Sequence, residues 1–392
     1  MSNMSNMFCI LPFIHVSIMA NGDCSACCIN KIKYGNIKNE RMDDIWNNKV
    51  ITSVRKRMIN GELIPECKVC YEKEQNNIFS WRKWNNERYA EYIDPLIQKT
   101  DKDGILNNKD LIYIDLRYDN ICNCKCRMCG HYSSNLWYED CVKLGYRTEG
   151  NTAILSNFHN SADLIKKFDP YFDNLKKVLF GGGEPMLSPI NRGFLEYLVG
   201  KGLTDVNLVY TTNLGYFPDD LVQLLSKFSN VEICVSIDGL EDQHNYIRGN
   251  SNLWKKMLNN FHRIPHFFNK LIIPCMSVYN AYHLPDLLEF ALDNLKISPD
   301  KIALGITTDR TFLNPAILPE EFKQKCIVRY KKIIERYGQT VHFNTCINVL
   351  EQCVENSNML MKEFFEYTDL LDNIRNVRLK DVFPELNNLR IS

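Results

Sequence analysis

Four cysteines fall within eight positions of the stretch NICNCKCRMCG (residues 120–130): Cys122, Cys124, Cys126 and Cys129. Without Cys124 the spacing is C-x3-C-x2-C. Three thiolates on one short loop can ligate three irons of a 4Fe–4S cluster and leave the fourth iron open to a chelating ligand. All four cysteines could instead bind zinc. Zinc ligand pairs, however, are usually spaced C-x2–4-C on separate knuckles, and Cys122, Cys124 and Cys126 stand too close together to close such a site without straining the loop.

The other cysteines are unevenly spread. Cys9, Cys24, Cys27, Cys28, Cys67 and Cys70 form an N-terminal group, while Cys141, Cys234, Cys275, Cys326, Cys346 and Cys353 are scattered singly, as buried small hydrophobes are. Sixteen cysteines in 392 residues would suit an exported disulfide protein, but the start MSNMSNMFCILPFIHVSIMANG has no basic n-region, and Pro12 and His15 interrupt its apolar run. The chain has no run of about 18 or more apolar residues, the length needed to span a bilayer. The expectation is a cytoplasmic, metal-holding protein with no membrane contact. Lys+Arg and Asp+Glu are equal at 47 each, so no global field favours nucleic acid. Short basic runs such as VRKR (54–57) read as solvated helix faces.

Elements must position these thiols. Residues 1–95 are turn-rich and read as a small metal-stapled segment, and the polar stretch 96–110, rich in Asp, Asn and Gly, marks a boundary. Strand-like runs follow at 111–118, 177–183, 206–213, 231–239, 271–280 and 301–308, with helical patterns between most of them, as at 218–228 and 284–295. Alternating strands and helices predict parallel βαβ units, a barrel-like α/β domain with its chemistry at the C-terminal strand ends. The central cysteines follow the first of those strands directly. A helix over 318–338 opens a mostly helical remainder. The resulting division is 1–95, 108–312 and 313–392.

Downstream motifs join the cysteines in order: LFGGGEP (179–185), TTN (211–213), VSIDG (235–239), HNYIRG (244–249) and MSVYN (276–280), each at or just after a predicted strand end. With C-x3-C-x-Φ-C before them, the chain resembles the radical S-adenosylmethionine (SAM) enzymes. The resemblance implies an α/β fold with a partial (β/α)6 TIM-like barrel, a SAM-binding 4Fe–4S cluster on Cys122, Cys126 and Cys129, and reductive cleavage of SAM to a 5′-deoxyadenosyl radical that abstracts hydrogen from a substrate. It implies that Gly181, Gly182, Gly183 and Glu184 meet the SAM amino group, that Ser236 and Arg248 contact its carboxylate and ribose, and that Asn213 ends the third strand beside it. The position before the last cysteine is often aromatic in the family. Here it is Met128, an adaptable apolar residue able to pack on the adenine. Cys124 occupies a variable position and is read as a bystander.

The N-terminal group resembles the twitch or SPASM auxiliary-cluster segment: a C-x2-P-[WF] start at Cys9, G-x4-C at Gly22 and Cys27, and C-x2-C at Cys67 and Cys70. The resemblance implies a second 4Fe–4S cluster on Cys9, Cys27, Cys67 and Cys70, with Cys24 and Cys28 spare although either could replace Cys27, and structural zinc as the alternative. Its position departs from the peptide maturases of this family, where the segment usually follows the barrel. The tail 364–388 also looks like that of twitch proteins. A fully ligated cluster leaves electron relay or shaping of a substrate channel as its roles. An external one-electron donor of flavodoxin or ferredoxin type is implied.

The substrate is less determined. A peptide or protein side chain is the first expectation, a sugar- or nucleotide-type small molecule the second, and a non-catalytic iron–sulfur protein the third. Asp309, after the sixth strand, and His244, in the loop after the fourth, are the candidates for moving a proton.

Overall fold

The computed structural model describes residues 7–29, 32–75, 79–107, 111–148 and 150–390; the boundary expected at residue 108 lies outside them. The chain divides into two units. The first comprises residues 1–120, 154–210 and 219–231, and the second 121–153, 211–218 and 232–392.

In the first unit, β1 (His15–Ile18), β2 (Asp23–Ser25), β3 (Lys33–Asn36), β4 (Tyr113–Leu116), β5 (Lys177–Phe180) and β6 (Asn207–Thr212, its last two residues counted with the second unit) lie in the order β3-β2-β1-β4-β5-β6. The hairpin strands β1, β2 and β3 pair antiparallel, whereas β1, β4, β5 and β6 are parallel neighbours. The N-terminal cysteine segment is therefore not set apart from the α/β sheet, because its strand β1 hydrogen-bonds along the whole of β4. Register explains why. Val16, Ile114, Val178 and Leu208 lie side by side, each at most 2% exposed. Burying each such side chain contributes roughly 1.5–3 kcal/mol, and a one-residue slip would turn the whole row over. The other face of the same strands carries His15, Ser17, Tyr113, Asp115 and Lys177, all buried. There the Ser17 hydroxyl donates to Asp115 (3.0 Å), which also accepts from Arg117.

The second unit holds β7 (Val231–Val235), whose residues 232–235 pair in parallel with β8 (Asn269–Ile272), and the short parallel pair β9 (Cys275–Met276) and β10 (Gly305–Ile306). One long strand was expected over 271–280. Pro274, which has no amide hydrogen to give a ladder, falls between its two pieces. Helices Glu241–Arg248, Leu253–Arg263 and Leu284–Asp293 follow these strands, and Glu320–Tyr337, Val341–Leu350 and Ser357–Arg375 make the C-terminal part helical, as the pattern predicts. The α/β class with parallel strands and intervening helices is thus what forms. Among the described residues, no helix is long and apolar enough to cross a membrane.

Candidate functional site

The central cysteines sit in the second unit on a loop with no regular secondary structure. Cys122, Cys126 and Cys129 are half-buried, while Cys124 is 1% exposed, its amide 3.4 Å from the Cys122 sulfur. The alternation leaves three thiols on the accessible side of the loop and turns the fourth inward. Side chains from elsewhere fix the loop's main chain. Asn135 accepts from the Cys122 amide (2.9 Å), Ser134 donates to the Cys124 carbonyl (2.6 Å), and the Trp137 indole donates to the Cys126 carbonyl (3.0 Å).

The motif residues of this unit gather around the loop. Asn213 donates to Asn123 Oδ1 (2.7 Å) and lies 3.9 Å from the Cys122 sulfur. Arg248 is the last residue of its helix, and its Nη1 reaches to 3.8 Å from the Cys126 sulfur. Gly249 follows with φ +63°. A Cβ there would stand 2.6 Å from the Lys125 carbonyl oxygen, so only glycine both ends the helix and lets the cysteine loop approach. The loop amides Lys125 and Arg127 donate to the carbonyls of Arg248 (3.2 Å) and Ile247 (2.8 Å). Ser236 is 8% exposed, its amide bonded to Thr212.

Asp238 was quoted within VSIDG but given no role by the sequence. Its carboxylate is fully buried, 2.6 Å from Arg248 Nε, and accepts from the Cys275 amide (2.8 Å). A buried, paired guanidinium is held in one place. Hydrogen bonding from Cys124 and then the Arg248 charge hold the Cys126 thiol below its ordinary value, against the effect of burial. His244, expected in a loop, stands instead on the helix Glu241–Arg248; it is fully buried, and its Nδ1 accepts from the Asp238 amide (3.3 Å). Burial, and then Arg248, keep it neutral far below the usual imidazole range. Asp309 is exposed in the turn after β10, and Met128 is half-buried in the cysteine loop.

The glycine triplet and Glu184 belong to the first unit, at the end of β5. Gly182 has φ +99°, and a Cβ on it would stand 2.9 Å from the Asp119 carbonyl oxygen and 3.0 Å from Arg117 Cβ. Glu184 is 1% exposed, with one carboxylate oxygen 3.4 Å from the Met186 amide.

Also in the first unit, Cys9, Cys27, Cys67 and Cys70 line one cavity, together with apolar side chains such as Pro12, Met58 and Trp81. Burial and then the neighbouring Cys27 raise the Cys9 thiol well above its ordinary value, and Cys67 and Cys70 add to this. Cys24 does not line the cavity. It is fully buried on β2, its thiol pushed up to about 12 by burial. Cys28 is exposed and also lies outside the lining residues. The structure thus places Cys27, not Cys24 or Cys28, with the other three.

Several residues that hold this cavity gave no recognised signal in the sequence. Asn86, on the helix Trp81–Arg88, accepts from the Ile10 amide (2.8 Å) and donates to the Phe8 carbonyl (2.9 Å), gripping the chain on both sides of Cys9. Arg82 donates to the same carbonyl (2.7 Å) and pairs with Glu74. His15 donates through Nδ1 to the Ala26 carbonyl (2.9 Å), next to Cys27.

Among the described residues, no three His, Cys, Asp or Glu side chains stand as a group able to hold one metal ion; the N-terminal thiols instead face a shared space. The all-thiol donor sets fit iron–sulfur clusters, one with four protein ligands and one with three.

A model of the radical SAM superfamily matches residues 118–291, and one of SPASM, an iron–sulfur cluster-binding domain, matches residues 9–71. The sporulation killing factor maturation protein SkfB of Bacillus subtilis (strain 168) is 27% identical over 192 residues, which is 47% of this chain and 41% of SkfB, so the chain matches less than half of that relative's length. Among solved structures, native anSMEcpe with bound AdoMet is 14% identical at TM-score 0.41, over 57% of this chain and 61% of that one. Streptococcus suis SuiB bound to precursor peptide SuiA is 14% identical at TM-score 0.40, over 92% and 71%. The central cysteine motif and the ordered strand-end motifs fall within the first match, and the cysteines of the cavity within the second. Residues 118–291 of the chain thus match the radical SAM superfamily, and a SPASM-type iron–sulfur cluster-binding segment, residues 9–71, stands ahead of that match.

Proposed function

We propose that this protein is a radical SAM enzyme that modifies a side chain of a peptide or protein. The observation that carries the reading is the central loop: three half-buried thiols on one loop, with the Arg248 guanidinium fixed beside one of them by a buried carboxylate. When bound, a 4Fe–4S cluster with SAM supplies a 5′-deoxyadenosyl radical able to take a hydrogen atom from an unactivated carbon.

The chain's own residues do the rest. Cys122, Cys126 and Cys129 hold the cluster by three points. Arg248 offers a fixed positive charge to the SAM carboxylate, and Asp238 keeps that charge from swinging away. Ser236 and Asn213 complete the polar rim, and Met128 gives an apolar contact. Gly181, Gly182, Gly183 and Glu184 keep the assignment their motif gives them, the SAM amino group. His244, buried and neutral, braces the Asp238 backbone, while Asp309 is the candidate for proton transfer. Cys9, Cys27, Cys67 and Cys70 would hold the auxiliary cluster, whose chemistry there would be electron relay or the shaping of a substrate channel.

The peptide substrate is supported by SkfB, a relative named for maturing a killing factor. As functional segments we assign 1–95 to the auxiliary cluster, 108–312 to the core and 313–392 to a helical extension. A flavodoxin- or ferredoxin-type donor in the cytoplasm completes the system.

Iron and zinc content with EPR of anaerobically purified protein tests the proposal, run with and without SAM on wild type and on Cys122→Ala/Cys126→Ala/Cys129→Ala. Two clusters predict roughly eight irons in the wild type, about four in the variant, and a SAM-sensitive signal in the wild type alone. Zinc at the central loop, or a signal indifferent to SAM, overturns the radical mechanism.

A further inference from the structure

We propose that the C-terminal helix Ser357–Arg375 is a positioning element for the central cysteine loop, setting the separation of Cys126 from Arg248 through Tyr367 and Asp372. The inference rests on the function proposed above and extends it to a part of the chain that the family match, ending at residue 291, does not reach.

The loop provides little of its own rigidity: a backbone bond inside it, Cys129 amide to Cys126 carbonyl (2.9 Å), tightens the last turn, and the Cys124 amide meets the Cys122 sulfur at 3.4 Å. The carbonyls that follow Cys126 are taken from outside. Tyr367 donates its hydroxyl to the Arg127 carbonyl (2.6 Å), and Arg310 donates to the Cys129 carbonyl (2.9 Å) while its other terminal nitrogen donates to the Tyr367 oxygen. Asp372 works one turn further along the same helix. It pairs with the Arg127 guanidinium, which is fully buried, and accepts from the Tyr246 hydroxyl (2.8 Å); its second oxygen accepts from the Leu379 amide (2.6 Å). The Arg127 guanidinium lies 3.6 Å over the Tyr246 ring.

Tyr246 stands two residues before Arg248, and Arg127 directly follows Cys126. One carboxylate therefore holds both sides of the bridge in which the loop amides of Lys125 and Arg127 donate to the carbonyls of Arg248 and Ile247. Both sides carry a member of the candidate site, the thiol on one and the guanidinium on the other, 3.8 Å apart. Asp238 fixes the guanidinium end; the helix fixes the backbones from which both groups project.

The experiment uses the anaerobic full-length protein as wild type, Tyr367→Phe and Asp372→Asn, with Arg378→Ala, an exposed C-terminal residue paired with Asp381, as control. Equilibrium SAM binding is measured beside iron content, melting temperature and the EPR of both clusters. Loss of such outer partners should weaken SAM binding by roughly 10–100-fold and alter the central EPR signal, while the auxiliary signal and the control stay as in wild type. SAM binding and central EPR equal to wild type in both variants would overturn the proposal. Should Asp372→Asn fail to fold, Tyr367→Phe decides, since it removes one oxygen only. If both variants lose both clusters together, the helix is mere scaffold and the proposal falls. A wild type whose central cluster ignores SAM would overturn the proposed function instead. The helix proposal would then be decided by whether the central g-values move in the two variants.

Discussion

The two cysteine sets of this molecule are built in opposite ways. The central set puts three thiols on one loop and a charged guanidinium beside them. The N-terminal set collects four thiols from separate pieces of chain: Cys9 before the short helix Leu11–Ile14, Cys27 after β2, Cys67 in the turn Pro65–Cys67, and Cys70 in the helix Lys68–Gln75. Around the second set the walls are largely apolar, Leu11, Pro12 and Met58 among them. Three donors with a cation alongside leave a place for an anionic chelator. Four donors in an apolar cavity leave none. On the function proposed above, the same element chemistry, thiol to iron, would be set to react in one region and to stay closed in the other.

The largest test of this contrast is reciprocal. Cys122→Ala/Cys126→Ala/Cys129→Ala should remove about half of the iron and all response to SAM. Cys9→Ala/Cys27→Ala/Cys67→Ala/Cys70→Ala should remove the other half and leave the SAM response intact. Iron analysis and EPR separate the two, and a SAM response lost in the second variant alone would reverse the assignment.

Next in size is Asp238→Asn. The exchange keeps the shape but strips the counter-charge from a guanidinium that is almost wholly buried. Removing one partner of a buried ion pair costs about 3–5 kcal/mol. The expected result is a lower melting temperature with weaker SAM binding, read by titration against a wild-type control. Unchanged SAM affinity would show that Arg248 needs no brace.

Smaller again is Asn86→Ala, which acts on the closed set only. It leaves the Ile10 amide and one bond to the Phe8 carbonyl unmet, at about 1–3 kcal/mol for a buried group left without a partner. Auxiliary iron should fall while the central signal keeps its intensity and its response to SAM. Parallel loss at both sites would mean that Asn86 serves the fold as a whole.

Residues whose chemistry is carried by type and spacing could be read from the sequence. C-x3-C-x2-C, the glycine triplet and Arg248 twelve positions after Ser236 are local or nearly so, and the strands that present them follow a simple alternation. What stayed hidden is held by tertiary contact. Asp238 sat in a quoted motif, yet only the fold brings its carboxylate to Arg248. Asn86 and Arg82 lie beyond the cysteine pattern, on a helix whose sequence WRKWNNER reads as polar surface although Arg82, Asn85 and Asn86 are all buried. Tyr367 and Asp372 did leave a trace. On their helix the buried residues Met361, Phe364, Phe365, Thr368, Leu371 and Asp372 recur at helical spacing, and a carboxylate in that apolar stripe asks for a buried cation. Arg127, between two cysteines of the motif, is that cation. The long expected strand at 271–280 failed for a local reason that was visible: Pro274 cannot serve a ladder.

The finest division between the two regions lies between two adjacent residues. Cys27 lines the N-terminal cavity, with its carbonyl held by the Ser25 hydroxyl (2.9 Å), while Cys28 is exposed and outside the lining. A Cys28→Ser exchange at an exposed position should change stability by no more than about 0.5 kcal/mol and leave iron content and both EPR signals alone. Cys27→Ser, the same chemical change one residue earlier, should cost the auxiliary cluster. Cys24→Ser separates burial from ligation. Its thiol is fully buried, so stability should fall, but the cluster should assemble, since Cys24 stands on β2 and does not line the cavity. If Cys28→Ser lost the auxiliary signal and Cys27→Ser kept it, the loop would present the next residue to iron, and the closed set would be Cys9, Cys28, Cys67 and Cys70. The three serine variants thus ask whether the backbone after β2, braced by His15 at Ala26, chooses the ligand.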